Sequence, residues 1–233
     1  MGQRVQVLVI KENKKGERKS TFFHHQWGFG RLMYMGLIDL VMSDYNKETF
    51  KKDYDFLAPA RFGTNEKFYD TTNEVPRKVL EDVDPENFAT IAHVFDWGDN
   101  NNGGMVVHIK ENKEHDYYSS DFKVGFLLGP EDTHGKYAGR DGSEKEYNIG
   151  NDDVEFSRWL TPAEYGKMNG GSDYSDDKFI KFFTDFCEYF DVEFFENKTT
   201  PEENIKALET IRSEYEEYEK EFGDDEVPCG YGE

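Results

Sequence analysis

The residues best equipped for chemistry lie near the N-terminus, in the run His24-His25-Gln26-Trp27-Gly28-Phe29-Gly30-Arg31. Imidazoles ligate metals and shuttle protons. Neighbouring side chains on a strand point to opposite faces, so His24 and His25 are not expected to hold one metal together. Each would have to join a distant group such as His93 or His108. The plainer reading is one hydrogen-bonded core histidine and one surface histidine. Beyond them, Trp27-Gly28-Phe29-Gly30-Arg31 passes from a strand into the start of a helix. Free amides at that start, close backbone approach at Gly28 and Gly30, and the Arg31 guanidinium could hold a phosphate, with Trp27 or Phe29 stacking a base. No third glycine and no Gly-Lys-Ser/Thr follows, so neither the dinucleotide nor the P-loop pattern is met. A turn that needs glycine for steric reasons is the simpler account.

Other polar clusters carry less. Asp96 and the run Asp99-Asn100-Asn101-Asn102-Gly103 are rich in oxygen ligands, but the spacing fails the EF-hand pattern and suits a tight turn. Ser175-Asp176-Asp177-Lys178 fits Ser-x-x-Lys without the companion motifs of serine acyl-enzymes. Ser and Asp are what an ordinary helix start prefers. No Gly-x-Ser-x-Gly, His-Glu-x-x-His or Cys/His nucleophile signature occurs. With 49 Asp and Glu in the chain, adjacent carboxylates say almost nothing about acid–base catalysis. These residues make no positive case for an enzyme, a metal or a cofactor.

Charge is more informative. The 233-residue chain carries a net charge of −21, unevenly spread. Residues 1–50 hold 8 Lys/Arg against 5 Asp/Glu, and the remainder holds 20 against 44. Such a field repels nucleic acid and anionic membrane and favours basic partners. Its simplest meaning is a solvated acidic surface. Its sharper meaning is an acidic decoy that occupies a basic, nucleic-acid-binding site on another protein. Aromatics are abundant (20 Phe, 14 Tyr, 3 Trp), which places the chain among folded, aromatic-cored proteins. Two distant cysteines, Cys187 and Cys229, suggest neither a disulfide scaffold nor a zinc site. No apolar run reaches the ~18 residues of a membrane span, and the N-terminus lacks a signal-like apolar core. A cytoplasmic protein is expected.

The elements that would position these residues read as α+β. Residues 4–10 are β-rich with both faces mostly apolar, the mark of a central strand. Residues 20–26 are expected to return antiparallel. Residues 31–43 form a helix apolar on nearly every side, hence buried. Residues 44–57 suggest a further short helix and 58–73 a loop. Asp84-Pro85 resembles an N-cap with Pro at the first helical position. Residues 90–97 and 105–110 read as two strands of a hairpin around 98–104, and 121–128 as another strand. A long polar loop is expected over 129–150. Thr161-Pro162-Ala163-Glu164 and Thr200-Pro201-Glu202-Glu203 are capping boxes. The first opens a short helix. The second opens a helix over 201–222, striped by Ile205, Leu208, Ile211, Tyr215, Tyr218 and Phe222 and closed by Gly223. Between them Phe179, Phe183, Phe186 and Phe190 mark an amphipathic helix over 176–190. The expected architecture is an antiparallel sheet with a buried central helix over 1–150, followed by an acidic helical section over 151–233 that either packs on it or stands apart.

Met1-Gly2-Gln3-Arg4-Val5-Gln6, followed by Gln26-Trp27-x-x-Gly30-Arg31-Leu32-Met33, resembles a group of small uncharacterised cytosolic proteins from phages and mobile elements of Gram-positive bacteria. These begin Gly-Gln-Arg-x-Gln and have an aromatic-Gln-Trp turn. Many carry an Asp-Asn-rich hairpin, as 99–104 resembles. The resemblance covers about the first 45 residues and that hairpin. It implies a mobile-element origin, a bacterial host cytoplasm and no known chemistry.

Two functions are then expected in order. The first is a non-enzymatic protein that binds and inhibits a host defence or nucleic-acid-handling factor through an acidic surface. Residues 201–233 hold 12 acids against 3 bases, and Tyr215, Glu216, Glu217, Tyr218, Glu219, Asp224 and Asp225 would form the interface, with Tyr189 and Trp159 as further aromatic anchors. Its partner would be a host protein with a basic surface, not nucleic acid or membrane. The second is a nucleotide-binding or sequestering protein that uses Trp27, Gly28, Gly30 and Arg31. A metal-dependent hydrolase built on His24 or His25 ranks third.

Overall fold

The computed structural model describes residues 5–25, 30–46, 69–98, 103–111, 120–127, 134–138, 144–148, 157–168 and 177–223. Val5–Glu12 (β1) pairs antiparallel with Arg18–His25 (β2), as the alternating sequence predicts. All six residues from Val5 to Ile10 are buried, so β1 is a central strand. Gly16, with φ at +80°, makes the turn between the two strands. Gly30–Asn46 (α1) follows.

The chain then departs from the expected hairpin. Phe88–Phe95 is a helix (α3), preceded by the short helix Arg77–Glu81 (α2). Its N-cap is Asn87, whose Oδ1 accepts from the Ala89 amide at 3.1 Å. Asp84 instead closes a local turn by accepting from the Glu86 amide at 3.2 Å. Every residue of α3 except Thr90 is buried, which explains why a short apolar run looked like a strand: burial on several sides erases periodicity. Gly104–Glu111 (β4) runs parallel to β1 and antiparallel to Ser120–Leu127 (β5). The region from α1 to α3 is thus the crossover that a parallel pair requires.

Two short strands complete the sheet. Tyr69–Asp70 (β3) lies against β2, and Glu193–Phe194 (β8) runs parallel to β5. The order is β3-β2-β1-β4-β5-β8, so the sheet is mixed where a purely antiparallel one was expected. Between β5 and β8, His134–Ala138 (β6) and Glu144–Asn148 (β7) form a separate antiparallel pair, in place of the loop expected there. Most of 44–68 lies outside the described residues; Asp44 to Asn46 end α1.

Both faces of the sheet are covered. Val5, Val7, Val9, Met105, Val107, Val124 and Phe126 face α1, Pro162–Met168 (α4) and Asp177–Tyr189 (α5). Leu8, Ile10, Phe22, Val106 and Leu127 face α2, α3 and Pro201–Phe222 (α6). The C-terminal helices are therefore divided between the two layers, with α4 and α5 on one and α6 on the other. The first core centres on rings: Phe126 stacks on Tyr165 at 4.7 Å, and Tyr34 meets Phe126 at 5.2 Å and Phe183 at 4.6 Å. Tyr34 keeps its hydroxyl satisfied by donating to the Pro162 carbonyl at 2.6 Å, and burial pushes that phenol well above its ordinary pKa. On the other face Trp159 stacks on Phe195 at 4.7 Å. Gly125 makes room for this pair, because a Cβ there would lie 2.5 Å from the indole ring.

Candidate functional site

The residues that looked most reactive in sequence are scattered. His25 is fully buried and His24 half-buried, on opposite faces of β2. His25 pairs with Val5 at one end of β1, whereas His108 pairs with Ile10 near the other. Five strand residues separate those positions, roughly 17 Å. His108 instead sits 3.2 Å from Glu12, and burial holds its imidazole below the ordinary pKa despite that carboxylate. Among the described residues no group of three or more His, Cys, Asp or Glu side chains could hold a metal ion. Burial pushes the Cys187 thiol up to about 12, far from a reactive thiolate. Trp27, Gly28 and Phe29 lie outside the described residues, as do Asp99 to Asn102, Ser175 and Asp176. Gly30 and Arg31 form the first residues of α1.

The acidic C-terminal helix is well defined. Both expected capping boxes form. Thr200 Oγ1 accepts from the Glu203 amide at 3.2 Å, and Glu203 accepts from the Thr200 amide at 2.8 Å. Thr161 and Glu164 do the same for α4. Asn204 and Leu208 are buried on the inner side of α6, and Asn204 donates to the Ser157 carbonyl at 2.7 Å. Glu202, Glu203, Glu209, Glu214, Glu216, Glu217, Glu219 and Glu221 are all exposed. Asp224 and Asp225 fall outside the described residues.

The aromatic residues expected to interleave with these acids do something else. Trp159 is buried under α3. Tyr189 is exposed, but on α5 across the sheet. Tyr215 and Tyr218 are half-buried on the inner side of α6, where they line a cavity of about 290 Å³ between α2, α3 and α6. Lys78, Ile211, Glu214 and His93 share its wall.

His93, named in sequence only as a distant partner for His24 or His25, belongs instead to this cluster. Its side chain is 8% exposed, and its ring lies 5.5 Å from that of Tyr215. Nδ1 is 3.3 Å from Asp96 Oδ2, while Nε2 has no hydrogen-bond partner. Asp96 also receives both arms of Arg212, Nε at 2.8 Å and Nη2 at 2.5 Å. This bidentate bridge ties α6 to the end of α3. Only the His93/Asp96 half, three residues apart, was visible locally; Arg212 is 116 residues away.

Burial alone would raise the Asp96 carboxyl, but the hydrogen bonds from Arg212 and His93 outweigh it and hold the group below its ordinary value. A depressed carboxylate stabilises the fold above its unfolded pKa of about 3.9 and loses that contribution as pH falls through the folded value. Denaturant unfolding at pH 5 and pH 3 should therefore show a smaller acid loss for Asp96→Asn than for the parent. Equal losses would mean that the bridge contributes nothing to acid sensitivity.

A second cavity of about 340 Å³ lies beside Trp159, Phe195 and the N-terminus of α6. Its two lysines are already engaged: Glu86 receives Lys123 at 3.3 Å and Lys198 at 2.5 Å. Its asparagines bind backbone, Asn197 clasping Trp159 and Asn204 reaching Ser157. No protein-family model matches the chain, and neither curated proteins nor solved structures return a match. Among the described residues no helix is long and apolar enough to cross a membrane.

Proposed function

We propose that this is a binding protein of mobile-element origin whose acidic α6 docks on a basic host protein, of the kind that handles nucleic acid, and blocks it. The observation that carries the reading is the outer face of α6. Its exposed glutamates run from Glu202 to Glu221, about 29 Å at 1.5 Å per residue. The inner side is fixed by a capping box, by Leu208 and by the Arg212–Asp96 bridge. Like charges on one helix repel and cost stability, and here the anchored inner side offsets that cost. A helix whose backbone is already fixed presents these carboxylates to a basic surface with the sign of a nucleic-acid backbone, and its main chain need not be ordered on docking.

The test compares the parent with a Glu216→Lys/Glu217→Lys/Glu219→Lys variant in pull-downs from nuclease-treated bacterial lysate at low and moderate salt. The parent should capture a basic nucleic-acid-binding protein, and capture should fall as salt rises. The reversed variant should bind it roughly tenfold or more weakly. A partner held equally by both proteins, or none at either salt, would sink the reading.

A further inference from the structure

We propose that α5 is a self-association surface: two copies of this chain pair through an antiparallel α5–α5 contact. The proposal goes beyond the docking reading of α6 and does not depend on it.

α5 carries more aromatic surface than its core uses. Phe183 and Cys187 are fully buried, and Phe179, Phe186 and Phe190 pack against the same core. Phe182 and Tyr189 do not, being 54% and 76% exposed. Seven residues apart, they lie on one line of the helix, and at roughly 100° per residue Phe186 falls on the same side. Their rings continue those of the core, with Phe182 at 6.4 Å from Phe179 and Tyr189 at 4.9 Å from Phe190. A stripe of this kind is what one helix presents to another, and a contiguous aromatic face left open marks an interaction site.

Charge selects the occupant. α5 has two lysines against three acids, whereas α6 has three bases against eight. α5 and α6 cover opposite faces of the sheet. Pairing through α5 therefore joins two molecules of net charge −21 along a nearly balanced helix and leaves both acidic helices free. A strongly basic or strongly acidic partner finds no complementary field on α5; a second copy does. A two-fold axis halfway between Phe182 and Tyr189 sets Phe182 of each copy against Tyr189 of the other. Lys181 and Glu188, also seven apart, run along one border of the stripe. The same axis brings each Lys181 beside Glu188 of the other copy. Asp185 comes near the axis, where like charges would meet, but Lys181 of its own chain holds both carboxylate oxygens at 2.7 Å.

The face is small. A helix of 13 residues, about 20 Å long, gives less contact than the ~800 Å² per partner of a standard interface. The pair should be concentration-dependent, with a dissociation constant on the order of 10–100 µM.

Sedimentation velocity of the full-length protein from about 5 to about 500 µM tests this, at ~150 mM salt so that the remote acids are screened. The parent should pass from monomer to dimer across that range. Phe182→Ser and Tyr189→Ser, both at exposed positions, should each raise the dissociation constant at least about tenfold with the circular dichroism unchanged. Lys181→Glu should weaken pairing about fivefold, and Lys181→Glu/Glu188→Lys should restore it, a rescue that a merely structural role for either residue would not give. A parent that stays monomeric throughout would overturn the proposal, whatever other protein α5 then captures. So would a dimer indifferent to Phe182→Ser and Tyr189→Ser, or a charge reversal that the double variant fails to rescue.

Discussion

Phe126→Ala is expected to lower the free energy of unfolding by about 3–5 kcal/mol, the usual cost of deleting a fully buried phenylalanine and leaving a cavity. Phe126 is the point where three helices meet the sheet. Its ring contacts Tyr34 of α1, Tyr165 of α4 and Phe183 of α5, and its carbonyl accepts from the Leu160 amide at 2.8 Å. Loss of the ring strips an aromatic neighbour from each helix, and the β-backbone beneath limits how far they can collapse. Domains are typically stable by only about 5–15 kcal/mol, so a large part of the margin would go. Urea unfolding followed by circular dichroism measures it. Phe126→Leu, which keeps most of the volume, should lose much less. Similar losses for both would place the energy in the backbone, not in the rings.

Leu208→Ala should cost about 2–5 kcal/mol, and its effect should be uneven. Leu208 is 1% exposed and is the buried apolar anchor of α6 in the core that α3 also serves. Around it the helix is held by the half-buried Ile211 and Tyr215, by the Asn204 contact to Ser157 and by the Arg212–Asp96 bridge. Hydrogen exchange should therefore accelerate along α6 more than in β1 or β4, which lie under both layers. Uniform acceleration would show that α6 opens only with the whole molecule. Selective acceleration would mean that the acidic face is a separable unit, and partner capture should weaken in step with it.

How much of this was legible follows the range of the forces involved. The buried α1 announced itself by apolar residues on almost every side, and α5 by four phenylalanines at helical spacing. Both Thr-Pro-x-Glu boxes formed as read, because a cap is a contract between residues three apart. The parallel pairing of β1 with β4 was not legible. Residues 90–97 offered a plausible partner strand, and only the coverage of the second sheet face by α3 made them a helix. The β6/β7 pair was hidden by its polarity. At the candidate site, the acidic stripe of α6 was visible as composition, and Tyr215 and Tyr218 lie with Leu208 and Ile211 as the apolar stripe predicts. Their second expected role, as anchors among the exposed glutamates, was not met, because that same stripe faces the cavity.

The sequence alone thus determined the local elements: the central strand, the buried helix, the capped helix starts and the charge of the last helix. Each rests on neighbours within a turn or two, where periodicity, capping and sign leave few alternatives. The tertiary structure alone decided the mixed sheet order, the division of helices between two faces, and the joining of Lys78, His93 and Tyr218 around one cavity. Those depend on which apolar face covers which. That choice is made by burial across the whole chain, among pairings that short-range preferences leave equally open.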